Sequence, residues 1–409
     1  MTREVSVVLV GIGGYGNLYV EALLDKGKER SVKIAGVVDP KPENCNYFDQ
    51  LRALGIPFFK SIDQFYAESG ADLAVITTPI HLHMAHVCLA LENGSNVLCE
   101  KPVAPTVQEA KKIIETRDKA KRFVSVGYQW SHSAAIQELK KDIMAGVFGK
   151  AKKLKTIILW PRNDAYYQRS YWAGRIKDHN GNWILDSVAS NATAHYIHNM
   201  FYVLGSKTDK SAVPVEVSAE LYRANPIENY DTAAIRAYTE DGAELLYISS
   251  HAVKDTVHPV FHYQFENADI VFGNPDREEL NSSIVAVFND GTKKDYGNPF
   301  KDEVRKLWIA ADAVRGEAEL PCGVEAALSH VICVNAAQES MDPIVEFPSS
   351  IVKRLEENRL TWVEGLSDIL IECYAAGKMP FELGVDWAKP GKKIDTREYS
   401  CFRGINNIK

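Results

Sequence analysis

The string Gly11-Ile12-Gly13-Gly14-Tyr15-Gly16 fits the pattern G-x-G-x-x-G. It directly follows the apolar run Val5–Val10 and opens a segment with helical spacing at Leu18, Val20, Leu23 and Leu24. Strand, glycine turn and helix in that order are the context in which such a string binds a dinucleotide. Gly11 permits the tight turn, Gly13 lets the backbone approach a pyrophosphate, and Gly16 lets helix and strand pack closely. The free N–H groups at the helix start face the phosphates. Asp39 closes the next apolar run, Val32–Val38. An acidic residue at that distance accepts hydrogen bonds from the adenosine ribose, and its charge repels a 2′-phosphate. NAD is therefore favoured over NADP, with Lys41 close by weakening the preference.

A second group with chemical potential is Lys101, in Val97-Leu98-Cys99-Glu100-Lys101-Pro102. The run before it reads as a buried parallel strand, and the carboxyl ends of such strands face the ligand crevice. A lysine there can hold a substrate hydroxyl and assist its proton loss. Pro102 helps fix the turn that aims it. On composition alone, Lys101 would be a surface lysine at a strand end.

The elements that must position these groups alternate in the first part of the chain. Strands are predicted at Val5–Val10, Val32–Val38, Leu73–Thr77, Asn96–Cys99 and Phe123–Val126, with helices at His83–Leu91 and Val107–Lys121. Such alternation implies a parallel sheet covered on both faces. After about Gly127 longer strands with period-two alternation take over, as in Val215, Val217, Ala219 and Leu221. Asp241-Gly242 and Asp290-Gly291 mark hairpins. Helices are predicted near Val304–Val314 and Val324–Gln338, and the Gly/Pro/Lys-rich tail from Ala376 is expected on the surface. The fold class is an α/β N-terminal Rossmann domain with a doubly wound parallel sheet, residues 1–128. An α+β domain with an open, mainly antiparallel sheet follows, residues 129–409.

The chain has 409 residues, 46% of them hydrophobic, which suffices for two cores. A net charge of −7 gives no reason to expect nucleic acid or an anionic membrane as partner. No signal segment or membrane span is visible. Seven scattered cysteines without a C-x-x-C pair suggest reduced thiols in the cytoplasm.

An N-terminal Rossmann unit, a Glu-Lys-Pro turn and a C-terminal antiparallel sheet together resemble the glucose–fructose oxidoreductase / inositol dehydrogenase family (Gfo/Idh/MocA). The resemblance covers nearly the whole chain and is strongest from Thr78-Pro79-Ile80-His81-Leu82-His83 through Gly94 to Pro102. It implies that Lys101 is catalytic. It implies cofactor contacts from Gly11, Ile12, Gly13, Tyr15, Gly16 and Asp39, and from Thr78, Pro79, His83, Glu100 and Lys101 on the nicotinamide side. The family carries an aspartate and a histidine four residues apart at the start of a helix in the second domain. Counting back from the Leu204-Gly205 end of the matching helix places the histidine at His195. The residue four before it is Asn191, which can hydrogen-bond a hydroxyl but takes no proton. Asp186, nine residues before His195, matches the family aspartate if the intervening segment is an insertion. Both stay open as the partner of His195, whose reference pKa suits a general base.

Trp160-Pro161-Arg162 and Arg169-Ser170-Tyr171-Trp172-Ala173-Gly174-Arg175 combine aromatic rings with cations. Trp160 and Trp172 can stack on the apolar face of a sugar while Arg162 and Arg175 donate to its hydroxyls. An equal alternative is that these rings simply pack against the sheet. Tyr128, after the fifth strand, is a further substrate candidate with Asn191 and His195. His81, His83 and His86 lack an acidic companion, and no metal site is expected. The expected activity is hydride transfer between NAD and a secondary hydroxyl of a sugar, polyol or glycoside, by a cytoplasmic homodimer or homotetramer. Two rivals remain: glycoside processing through transient oxidation with no net redox change, and a non-catalytic NAD(H)-binding regulator.

Overall fold

The computed structural model describes residues 3–274 and 282–405. The chain divides into two compact units. The first comprises residues 1–104, 108–133 and 300–328; the second comprises 105–107, 134–299 and 329–409. A single cut after residue 128 would assign 300–328 to the second domain, whereas their packing places them in the first.

Six parallel strands form the sheet of the first unit: β1 Val5–Val10, β2 Val32–Val38, β3 Phe58–Phe59, β4 Leu73–Ile76, β5 Asn96–Cys99 and β6 Val124–Val126. Their order is β3-β2-β1-β4-β5-β6. The order reverses between β1 and β4, which opens a crevice at the carboxyl ends of the strands. The strands are almost continuously apolar because both faces are covered: Val5, Val7, Val8, Leu73, Ala74 and Ile76 are fully buried. β3 went unpredicted; two residues are too short to show a period. The helix Arg305–Arg315 adds Leu307, Trp308, Ala310 and Ala311 to the same core as Val5, Val7 and Leu9.

The second unit is built on a sheet of β7 Ala151–Leu159, β8 Pro214–Arg223, β9 Thr232–Thr239, β10 Glu244–Ser250, β11 Val257–Phe265, β12 Ala268–Phe272, β13 Ile284–Phe288, β14 Lys293–Gly297 and β15 Val345–Glu346. The order is β14-β13-β12-β11-β7-β10-β9-β8-β15. Most pairs are antiparallel, but β7 pairs with β10 and β8 with β15 in parallel. Both expected hairpins form, turning at Gly242 (φ 84°) and Gly291 (φ 86°), where a left-handed backbone suits glycine. β11 contains Pro259, which reads against a strand; its register against β7 shifts between Val257 and Val260 to accommodate it. Lys153 and Lys155 of β7 reach Gly377 O (2.8 Å) and Ala375 O (3.2 Å), the closing carbonyls of the helix Leu366–Ala376. They therefore bind a helix C-terminus, where cations are favoured. Part of the tail is also regular: Ile394–Asp395 pairs antiparallel with β8.

Candidate functional site

The glycine turn leaves β1 and enters the helix Gly16–Lys26. Gly11 has φ 83° and its N–H donates to Val38 O at 2.8 Å. A Cβ at Gly16 would lie 2.4 Å from Gly11 O, so only glycine permits this approach. A Cβ at Gly13 or Gly14 would meet nothing within 4 Å. Open space beside Gly13 and a tight contact at Gly16 are the two properties a pyrophosphate cradle needs. Asp39 follows β2, and its carboxylate accepts the N–H of Ile12 (2.9 Å) and of Lys41 (2.8 Å). A carboxylate has about four acceptor positions, so two remain for a ribose diol. The Ile12 side chain itself is fully buried. These residues fit a dinucleotide.

Thr77 and Thr78 follow β4. The Thr77 hydroxyl bonds Gly11 O and tethers the glycine turn, a role with no local sequence signal. His83 is buried, with Nε2 2.7 Å from Thr78 O and Nδ1 2.8 Å from Pro102 O. It therefore clamps the loop after β4 to the turn after Lys101, and both ring nitrogens face backbone carbonyls. His86 Nδ1 lies 3.1 Å from Thr78 Oγ1, and burial lowers its pKa to about 4. Pro79 precedes the short 3-10 turn Ile80–Leu82. Among the described residues no group of three His, Cys, Asp or Glu is arranged to hold a metal.

Glu100 is held by partners inside the first unit. It is buried, and Oε1 accepts Tyr19 OH (2.5 Å) and Lys306 Nζ (2.6 Å). Burial raises the Glu100 carboxyl, but the Lys306 ammonium and the Tyr19 hydroxyl outweigh it and hold the pKa below its ordinary value. Lys306 is fully buried and also donates to Tyr15 OH (2.9 Å) and Gly127 O (3.2 Å). A Cβ at Gly127 would fall 2.5 Å from Glu100 Oε1, so glycine makes room for the carboxylate. One ammonium thus ties the glycine loop, through Tyr15, to the residue before Lys101. Lys101 sits half-buried at the end of β5, in a cis peptide with Pro102. Sequence reasoning missed Lys306 and Tyr19. Tyr128 is completely buried, and its carbonyl faces His132 Nδ1 at 3.1 Å.

In the second unit, Asp186 and Asn191 are brought together. Asn191 Nδ2 donates to Asp186 Oδ1 at 2.8 Å, and Gly174 N–H donates to Oδ2 at 2.6 Å. Arg169 stands 3.8 Å from the same carboxylate, which is nearly inaccessible. The intervening Val188–Ala192 forms a wide π-helical turn, and the helix Ala194–Val203 starts immediately before His195. A π turn of this kind often marks a functional site. Arg169 lies over the rings of Tyr166 (3.8 Å) and Trp172 (5.0 Å). Arg162 lies over Tyr166 (4.9 Å) and Trp160 (5.6 Å), and Trp160 meets Tyr196 edge-on at 5.7 Å. His251 packs edge-on against Tyr166 (5.5 Å) and lies 2.8 Å from Trp160 O through Nδ1. Burial, then Arg162, pushes its pKa down to about 3. Trp160, Arg162, Trp172, Asp186 and Asn191 therefore share one neighbourhood. Arg175 pairs with Glu228 at 3.1 Å.

Residues 5–128 match the Gfo/Idh/MocA family model, described as oxidoreductase family, NAD-binding Rossmann fold. The rhizopine catabolism protein MocA of Rhizobium meliloti is 30% identical over 142 residues, 34% of this chain and 43% of that protein. Glucose-6-phosphate 3-dehydrogenase of Bacillus subtilis (strain 168) is 23% identical over 163 residues, 40% of this chain and 44% of that protein. The matches thus span less than half the length of these curated relatives. The WlbA dehydrogenase of Bordetella pertussis, solved with NADH and UDP-GlcNAcA, superposes with a TM-score of 0.66 at 22% identity, covering 82% of this chain and 95% of that one. That likeness is one of fold.

Proposed function

We propose that this chain, whose residues 5–128 are a Rossmann domain of the Gfo/Idh/MocA oxidoreductase family, is an NAD-dependent dehydrogenase acting on a secondary hydroxyl of a sugar, polyol or glycoside. The observation that carries the reading is the glycine cradle beside Asp39, on the same sheet that presents Lys101 at the end of β5. Bound NAD supplies the hydride acceptor. Gly11, Gly13 and Gly16 hold its pyrophosphate, and the free acceptor positions of Asp39 take the ribose diol and disfavour a 2′-phosphate. Lys101 holds the substrate hydroxyl and stabilises the oxygen as its proton leaves. His195 takes that proton. Asn191 orients the substrate, and Asp186 fixes the Asn191 amide through the 2.8 Å bond between them.

Two measurements test this together. The first is release of NAD from the denatured protein, and the second is NADH formation across sugars, polyols and glycosides. NADH with one stereochemical class is the expected result. A chemically changed sugar without accumulating NADH would replace it with transient oxidation and re-reduction. Lys101→Ala is expected to keep NAD affinity while turnover falls by about two to four orders of magnitude, the range of general acid–base catalysis. Unchanged turnover removes Lys101 from the mechanism.

A further inference from the structure

An open cavity of about 610 Å³ lies within the second unit, lined among others by Tyr167, Ser170, Tyr171, Gly174, Arg175 and Glu228. That volume falls in the range of small-molecule sites, about 300–1,000 Å³. We propose that it is a subsite for a second, neutral sugar ring, which makes the substrate a glycoside and not a free monosaccharide. The inference rests on the sugar oxidoreductase reading above.

Charge argues for a neutral occupant. Arg354, on the wall, pairs with Asp164 through two hydrogen bonds of 2.9 and 2.7 Å, and Arg175 pairs with Glu228. Each arginine in the lining is thus matched by a carboxylate. A phosphate or carboxylate ligand would have to displace one of them, at the cost of an exposed charge pair and with no uncompensated cation to receive it. A sugar ring asks for something different: a flat apolar surface and polar groups at its edge. Tyr171 offers the surface, with 57% of its area exposed. The arginine–carboxylate pairs, which retain spare donors and acceptors, offer the edge.

Position argues for a shared substrate. Gly174 lines the cavity, and its N–H donates to Asp186, which holds Asn191. Its carbonyl accepts the N–H of Glu228 (3.1 Å) and Asn229 (2.9 Å). The wall of the cavity and the Asp186–Asn191 pair therefore meet at one residue. The short helix Asp164–Gln168 divides them on the other side: Tyr166 faces Arg162, Arg169 and His251, while the next residue, Tyr167, lines the cavity.

Calorimetric titration of the full chain tests this, comparing glucose and galactose with the α- and β-linked disaccharides built from them and with glucose 6-phosphate. At least one disaccharide is expected to bind about ten-fold more tightly than its components, the scale of one aromatic contact. Tyr171→Ala is expected to remove that gain. No disaccharide gain, a gain that survives Tyr171→Ala, or tighter binding of the sugar phosphate would overturn the proposal. NADH formation is read separately. A chain that shows the gain but oxidises no sugar keeps the subsite and loses the dehydrogenase reading.

Discussion

Lys306 carries three hydrogen bonds with no solvent exposure. Its charge is tolerated because Glu100 opposes it and the remaining protons find oxygens. Lys306→Met should therefore cost about 3–5 kcal/mol, because it strands a buried carboxylate. The double variant Lys306→Met/Glu100→Gln should recover most of that loss in urea denaturation. Equal destabilisation of both variants would mean that the pair is not the source. His251 gives a pH prediction. Its folded pKa, about 3, lies below the ordinary histidine value of 6.5. Between those values the unfolded chain binds the extra proton, so stability falls as pH drops from about 6.5 towards 3. His86, lowered by burial to about 4, adds to the same fall, so His251→Gln should reduce the slope by about one proton's worth without abolishing it, and an unchanged slope would assign it to other groups.

The glycine turn shows how one element serves two demands. Gly16 answers to packing, with a Cβ 2.4 Å from Gly11 O, whereas the Gly13 position is open. Gly16→Ala should consequently lower the melting temperature, while Gly13→Ala should leave it nearly unchanged and weaken NAD binding. A calorimetric melt and an NAD titration on each variant separate the two. Equal loss of stability in both would refute the division. Elements such as this were legible because their cause is local: an apolar run, a glycine string and an acidic residue at the next strand end. Asp39 and the end of β5 follow the same logic. The partners of Glu100 were not legible, because Lys306 lies 206 residues away and only the folded chain brings it near. Asp186 and Asn191 appeared in sequence as alternatives for one position. The π turn brings them into contact, which no 3.6-residue period would suggest.

The first unit is discontinuous in sequence, with residues 300–328 completing it. Its sheet is readable from residues 1–128 alone, which is why a boundary after residue 128 looks natural. Period and composition report which segments are strands; they do not report which distant helix covers them. Here the cover includes Leu307 and Trp308, and Cys322 O accepts the N–H of Val126 in β6. Removing the segment exposes the apolar surface beneath two large side chains, worth about 2–3 kcal/mol each. It also strands Glu100 without Lys306. The sum is comparable to the total stability of an ordinary domain, about 5–15 kcal/mol. A fragment of residues 1–133 should therefore lack a cooperative thermal transition and bind NAD poorly. Joining residues 300–328 to it through a flexible linker should restore both. Circular dichroism melts and NAD titration of the two fragments decide the matter: a shorter fragment that melts cooperatively would show that the sheet folds without its distant helix.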